Sequence, residues 1–172
     1  WDELGREMAE AGRKLKACGA DFAVLCTNTM HKVVDHFEAD AGLPLLHIAD
    51  VVGEALRRDG VRRAGLLGTR FTMEEGFYRS RIREGFGVEV LAPDAEGIRE
   101  VDRVIYEELV RGIVRDESRR RYEAEIEKLA SRGCEGIILG CTEIGMLIKE
   151  SRHRLYDSTI LHAARAVELA LA

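Results

Sequence analysis

Residues 130–142 read ASRGCEGIILGCT: a charged helix end, a glycine turn, a short apolar run, then glycine, cysteine and threonine. Residues 16–27, KACGADFAVLCT, follow the same plan with one residue fewer. A brief apolar run bounded by turn residues and preceded by a helical pattern reads as a buried strand of a parallel sheet. Similar runs recur at 22–25 (FAVL), 45–48 (LLHI), 64–67 (AGLL), 88–91 (VEVL) and 137–139 (IIL). Helical periodicity separates them. In 98–110, Ile98, Val101, Val104, Ile105 and Leu109 share one face. In 119–130, Tyr122, Ile126, Leu129 and Ala130 point inward, and 158–171 opens on Ser158 and Thr159 as possible caps and runs in alanine and leucine. Strand–helix alternation of this kind predicts an α/β fold with parallel sheets flanked by helices. Ligands in such folds sit beyond the carboxyl ends of the strands, where Cys26 and Cys141 both fall.

The two cysteine units have matching sequels. A helical stretch follows each, then a strand-like run ending in aspartate, LPLLHIAD at Asp50 and RLYD at Asp157. Internal duplication into two pseudo-symmetric lobes is the expectation, with 1–60 plus 155–172 as the first and 61–154 as the second. The second half opens on its own strand and polar turn, RRAGLLGTRFTM, well before Cys141. The first half begins in a helix at Trp1 and has only 25 residues before Cys26, so its opening strand is expected to be missing.

Composition excludes several functions. The chain has 172 residues, is 46% hydrophobic and carries a net charge of −5 with acids and bases interspersed, which suits a packed core and leaves no basic block for nucleic acid. The Arg119–Arg121 cluster reads as a solvated helix face. No apolar run is long enough to span a bilayer and no signal peptide is visible, so a cytoplasmic enzyme or binding protein is expected. Neither CxxC nor HxxxH spacing occurs, which speaks against a metal site. Cys18 and Cys134 flank turn glycines and read as buried structural residues, not as halves of a disulfide framework.

A cysteine at a strand end ahead of a helix lies where backbone N–H groups point, which lowers its pKa. Thr27, Asn28 and Thr29 after the first cysteine, and Thr142 and Glu143 after the second, can hold a carboxylate; the two threonines can equally cap helices. Nucleophilic catalysis with a histidine base leaves the second cysteine unexplained, and redox chemistry needs adjacent thiols. Proton transfer at carbon by two bases on opposite faces of a substrate uses both.

VLCTNTMHK (24–32), LPLLHIAD (43–50), AGLLGTRFTM (64–73) and ILGCTEIGM (138–146) resemble signatures of the cofactor-independent aspartate/glutamate racemases, and the Cys-Thr-Glu-Ile run resembles the aspartate and broad-specificity amino-acid racemase branch. The resemblance implies a usually homodimeric enzyme that interconverts L- and D-aspartate, glutamate or a broader range without pyridoxal phosphate or metal. Cys26 and Cys141 would be its acid/base pair, facing the α-hydrogen of the D- and L-isomer respectively. Thr27, Asn28, Thr29, Thr69 and Thr142 would line the substrate carboxylate and amine. Glu143 would either hydrogen-bond the ammonium or cap its helix, and Arg70 is the best cation for a side-chain carboxylate. The family's opening strand and glycine-rich loop have no counterpart before Trp1, so an inactive fragment is a further expectation. Alternatives are an isomerase or decarboxylase of the same superfamily acting on a small diacid, and an amino-acid binding module.

Overall fold

The structure, a computed structural model, describes all 172 residues. Helix α1 (Asp2–Ala17) buries only Gly5, Ala9 and Gly12, a stripe that lets α2 (Val34–Asp40) approach closely. A Cβ on Gly12 would stand 2.3 Å from the Phe37 ring. Strand β1 (Ala23–Val24), which follows α1 in the chain, runs parallel to β2 (Leu45–Leu46), which follows α2. Ala23, Phe37, Ala41 and Leu43 form the buried cluster beneath them. At about 1.5–3 kcal/mol for each large side chain, so small a cluster cannot order this segment alone. Helix α3 (Ile48–Arg58) connects it to the main core, burying Ile48, Ala49, Val52, Ala55 and Leu56 there.

That core of 32 buried residues surrounds a four-stranded parallel sheet in the order β4 (Glu89–Leu91), β3 (Arg63–Gly68), β5 (Gly136–Gly140), β6 (Leu155–Asp157). The central strands β3 and β5 are apolar and buried almost throughout, as strands covered on both faces must be. The remaining helices are α4 (Arg70–Glu74), α5 (Gly76–Phe86), α6 (Ala95–Glu107), α7 (Asp116–Ser131), α8 (Ile144–Leu147) and α9 (Ser158–Ala170). Strand β6 joins the four-stranded sheet, and α9 then packs against α3.

The α/β architecture with parallel sheets is as the sequence predicts, with local departures. The 98–110 periodicity is not one helix: α6 ends at Glu107 and a 3-10 turn follows at Leu109–Arg111. Glu108 sits at the break, buried, accepting hydrogen bonds from Ser118 (2.6 Å) and Arg103 (3.2 Å). Asp50 does not end a strand. It lies in the first turn of α3, and the residue matching Asp157 is His47: each caps the helix after its strand, accepting from Ala49 N–H (3.1 Å) and Thr159 N–H (2.9 Å) respectively. All four cysteines are free; Cys134 is buried as expected, but Cys18 is exposed at the end of α1.

Three buried histidines cluster here, and one of them, His162, ties α9 to the first half. His31 Nδ1–H donates to Thr27 O (2.7 Å) while its Nε2 accepts from Ile48 N–H (3.3 Å), which fixes a neutral tautomer. His47 lies 4.3 Å from the His31 ring, and His162 on α9 donates to Leu46 O (2.8 Å). Burial, ahead of the charges of the neighbouring histidines and Arg81, pushes His31 down to about 4 and His47 to about 2; burial also lowers His162. The unfolded chain therefore binds protons near pH 6.5 that the folded chain refuses, and stability falls as pH drops from there toward 4. His31 and His47 should each remove about 2 kcal/mol by pH 5. The check is the urea midpoint, which should fall clearly between pH 7 and pH 5; a flat midpoint would contradict a neutral buried trio.

Candidate active site

The carboxyl ends of β1 and β5 open on one cleft of about 290 Å³. Eight of the nine site residues read from the sequence line it, Arg70 being the exception: Cys26, Thr27, Asn28 and Thr29 from the first half, Thr69, Cys141, Thr142 and Glu143 from the second. A larger groove, about 520 Å³, lies between α6 and α7, but ion-paired side chains such as Glu100, Arg103 and Arg121 wall it and no strand end reaches it.

The two thiols differ in setting. Cys26 is exposed, with only a long contact to Val24 O (3.9 Å). Cys141 is buried, and its thiol donates to Glu143 Oε2 at 2.9 Å. Glycine at 140 permits this placement, since a Cβ there would stand 2.7 Å from Leu66 Cδ1 on β3. Burial first, and then the Glu143 carboxylate, push the Cys141 thiol up to about 12; the backbone N–H groups of Thr142 and Glu143 pull the other way and lose. This corrects the expectation of a thiol acidified by a helix terminus. Helix α8 is four residues long, too short for a substantial dipole, and the nearest ionised group is an anion.

Glu143 does not cap α8 with its side chain. Its Oε2 takes hydrogen bonds from both Cys141 and the Thr142 hydroxyl (2.7 Å). Burial disfavours its charge, but these bonds more than offset that and hold the carboxyl below its usual range. Thr142 is therefore committed to Glu143, not to a helix end.

Asn28 is buried, and its Nδ2 donates to Ser158 Oγ (3.1 Å), whose hydroxyl donates to Leu139 O (2.7 Å). Its Oδ1 is buried without a partner. An orphaned acceptor costs about 1–3 kcal/mol, so this atom is a ready seat for an incoming N–H donor. Thr29 and Thr69 join the two halves at 2.8 Å between hydroxyls, and Thr72 completes a triangle with them at 3.4 and 3.1 Å. Thr69 also caps α4. Arg70 does not line the cleft; its guanidinium lies over the Phe71 ring, 5.9 Å from the centroid. Thr72 and Ser158 escaped the sequence reading of the site, as did a wall of Ile105, Tyr106 and Val110. Of these, Thr72 alone carried a signal, in the hydroxyl pattern of TRFT.

The sequence profile of the Asp/Glu/Hydantoin racemase family matches residues 1–166. A Yersinia pestis protein named as an Asp/Glu racemase candidate is similar in structure, with TM-score 0.94 and 46% identity over all of this chain and 76% of that one. An aspartate racemase homologue from Pyrococcus horikoshii OT3 gives TM-score 0.87 and 34% identity over 98% of this chain and 74% of its own. Glutamate racemase of Aquifex pyrophilus is 26% identical over 99% of this chain, which spans 65% of that protein's length. With its profile matched over almost its whole length, the chain belongs to the Asp/Glu/hydantoin racemase family.

Proposed function

We propose that the protein is a cofactor-independent amino-acid racemase in which Cys26 and Cys141 act on opposite faces of the substrate α-carbon. The observation that carries this reading is that two thiols from two similar strand–helix units line one cleft, one exposed and one bonded to a carboxylate. In one direction the Cys26 thiolate takes the α-proton and Cys141 S–H delivers its own to the opposite face. In the other, the Cys141 thiolate left by that turn takes the α-proton, the restored S–H again donating to Glu143, and Cys26 S–H is the acid. Hydroxyls of Thr29 and Thr69 and the amides of 28–29 hold the substrate carboxylate and stabilise the carbanion-like state; Asn28 Oδ1 accepts from the ammonium.

Incubating the protein with each enantiomer of a substrate amino acid in D2O, and following the α-proton by NMR, tests the proposal. Deuteration with inversion from both enantiomers is the expected result. Deuteration with strict retention would refute two-base racemisation.

A further inference from the structure

We infer that His31 is a positioning residue: through both ring nitrogens it fixes the turn that carries the Cys26 thiol to the main core. The inference rests on the racemase reading, in which Cys26 is one of the two bases, and deepens it by naming what holds that base in place.

Cys26 stands outside any helix or strand, two residues past the end of β1. It is the middle residue of a three-residue turn closed by Thr27 N–H, which donates to Leu25 O at 2.8 Å. The carbonyl of the same threonine is taken up by His31, a buried residue on the 3-10 turn Thr29–Val33. Its Nδ1–H donates to Thr27 O at 2.7 Å, and its backbone N–H donates to Asn28 O at 3.2 Å. At the far side of the ring Nε2 accepts from Ile48 N–H at 3.3 Å, and Ile48 belongs to the core of 32 residues. The His47 ring, edge-on at 4.3 Å, closes one side of the imidazole. A planar ring that donates from one nitrogen and accepts at the other is a strut of fixed length between the Cys26 turn and the first residue of α3. That matters for catalysis because misplacing a reacting group by about 1 Å costs on the order of 10²-fold in rate.

Side-chain amides can copy either half of the strut. In His31→Asn the amide nitrogen hangs on Cγ, as Nδ1 does, so the bond to Thr27 O can be kept while Ile48 N–H loses its acceptor. In His31→Gln the amide oxygen lies one carbon farther out, toward the place of Nε2, so Ile48 N–H is served and Thr27 O is released. His31→Gln should lower kcat for α-proton exchange in D2O by about tenfold or more, and His31→Asn by less than about threefold. Stability should run the other way, with the urea midpoint of His31→Asn falling further because the shorter side chain also leaves a gap in the packing. Equal kcat in the two variants, or a kcat that follows stability in order, overturns the inference.

Amide hydrogen exchange of the segment 24–31, followed by mass spectrometry without substrate, makes the same comparison apart from turnover. Exchange there should be faster in His31→Gln, although His31→Asn is the less stable protein. No difference, or the reverse order, overturns the inference. Absence of α-proton exchange with every amino acid in the parent overturns the racemase reading instead, and the amide exchange then decides the strut on its own.

Discussion

Replacing Cys141 by alanine is expected to lower the rate of inversion by about 10³-fold or more, and Cys26→Ala should do the same. Each thiol is assigned one face of the α-carbon, and neither has a substitute: the cleft contains no histidine, and the one carboxylate, Glu143, is bonded to Cys141 and Thr142. Loss of a positioned acid or base costs about 10²–10⁴ in rate, and here the missing group must serve as both across a cycle. The variants separate the faces. With one thiol left, slow α-deuteration should persist for a single enantiomer with retention, and the enantiomer should differ between Cys26→Ala and Cys141→Ala. Neither change should unfold the chain, because Cys26 is exposed and Cys141 leaves only a sulfur-sized gap beside the strand end. A single variant that still inverts at near the parent rate would end the two-base proposal.

Glu143→Gln should reduce turnover by roughly 10²-fold while making Cys141 more acidic. These effects run in opposite directions and so distinguish a charged hydrogen-bond partner of the thiol from a structural prop. The carboxylate raises the Cys141 pKa, second to burial, so its neutralisation lowers that pKa and the thiolate forms at lower pH. The pH profile of iodoacetamide alkylation at Cys141, read by peptide mass spectrometry, should shift to lower pH. Racemisation should nonetheless fall, because a neutral amide holds the Cys141 S–H less firmly in place and a more acidic Cys141 is a weaker base in the half-cycle where it removes the α-proton. A variant with unchanged turnover, or an alkylation profile shifted upward, would remove Glu143 from that role.

The strand ends and their cysteines were legible because a short apolar run closed by Gly-Cys or Leu-Cys and a polar residue has few other readings. Parallel pairing followed from near-continuous apolar β3 and β5. Features that depend on distant partners were not legible. Asn28 is oriented by Ser158, 130 positions away, and nothing local to either residue announces that bond. The pairing of Glu143 with Cys141 depends on the backbone path through Cys141–Glu143, and residue order alone allows a cap, a free ligand or a partner for the thiol. Val110 was hidden for a different reason. Apolar periodicity continues through Leu109, so the sequence reads as one helix, whereas the buried Glu108 carboxylate and its Ser118 and Arg103 partners end α6 early and turn the next residues toward the cleft.

The triangle of Thr29, Thr69 and Thr72 hydroxyls bears on how one cleft can seat mirror images. In each of its contacts either oxygen can be the donor, so the protons can circulate in one sense or the other without moving a heavy atom. A backbone amide offers only a hydrogen in a fixed direction and thereby prefers one hand. A rotating hydroxyl offers a hydrogen or a lone pair by a turn about one bond. Two enantiomers that share an α-carbon position must exchange the places of some of their substituents, and a rotor set can answer both arrangements. In the proposed mechanism the hydroxyl triangle is indifferent to handedness, and the two sulfurs supply it.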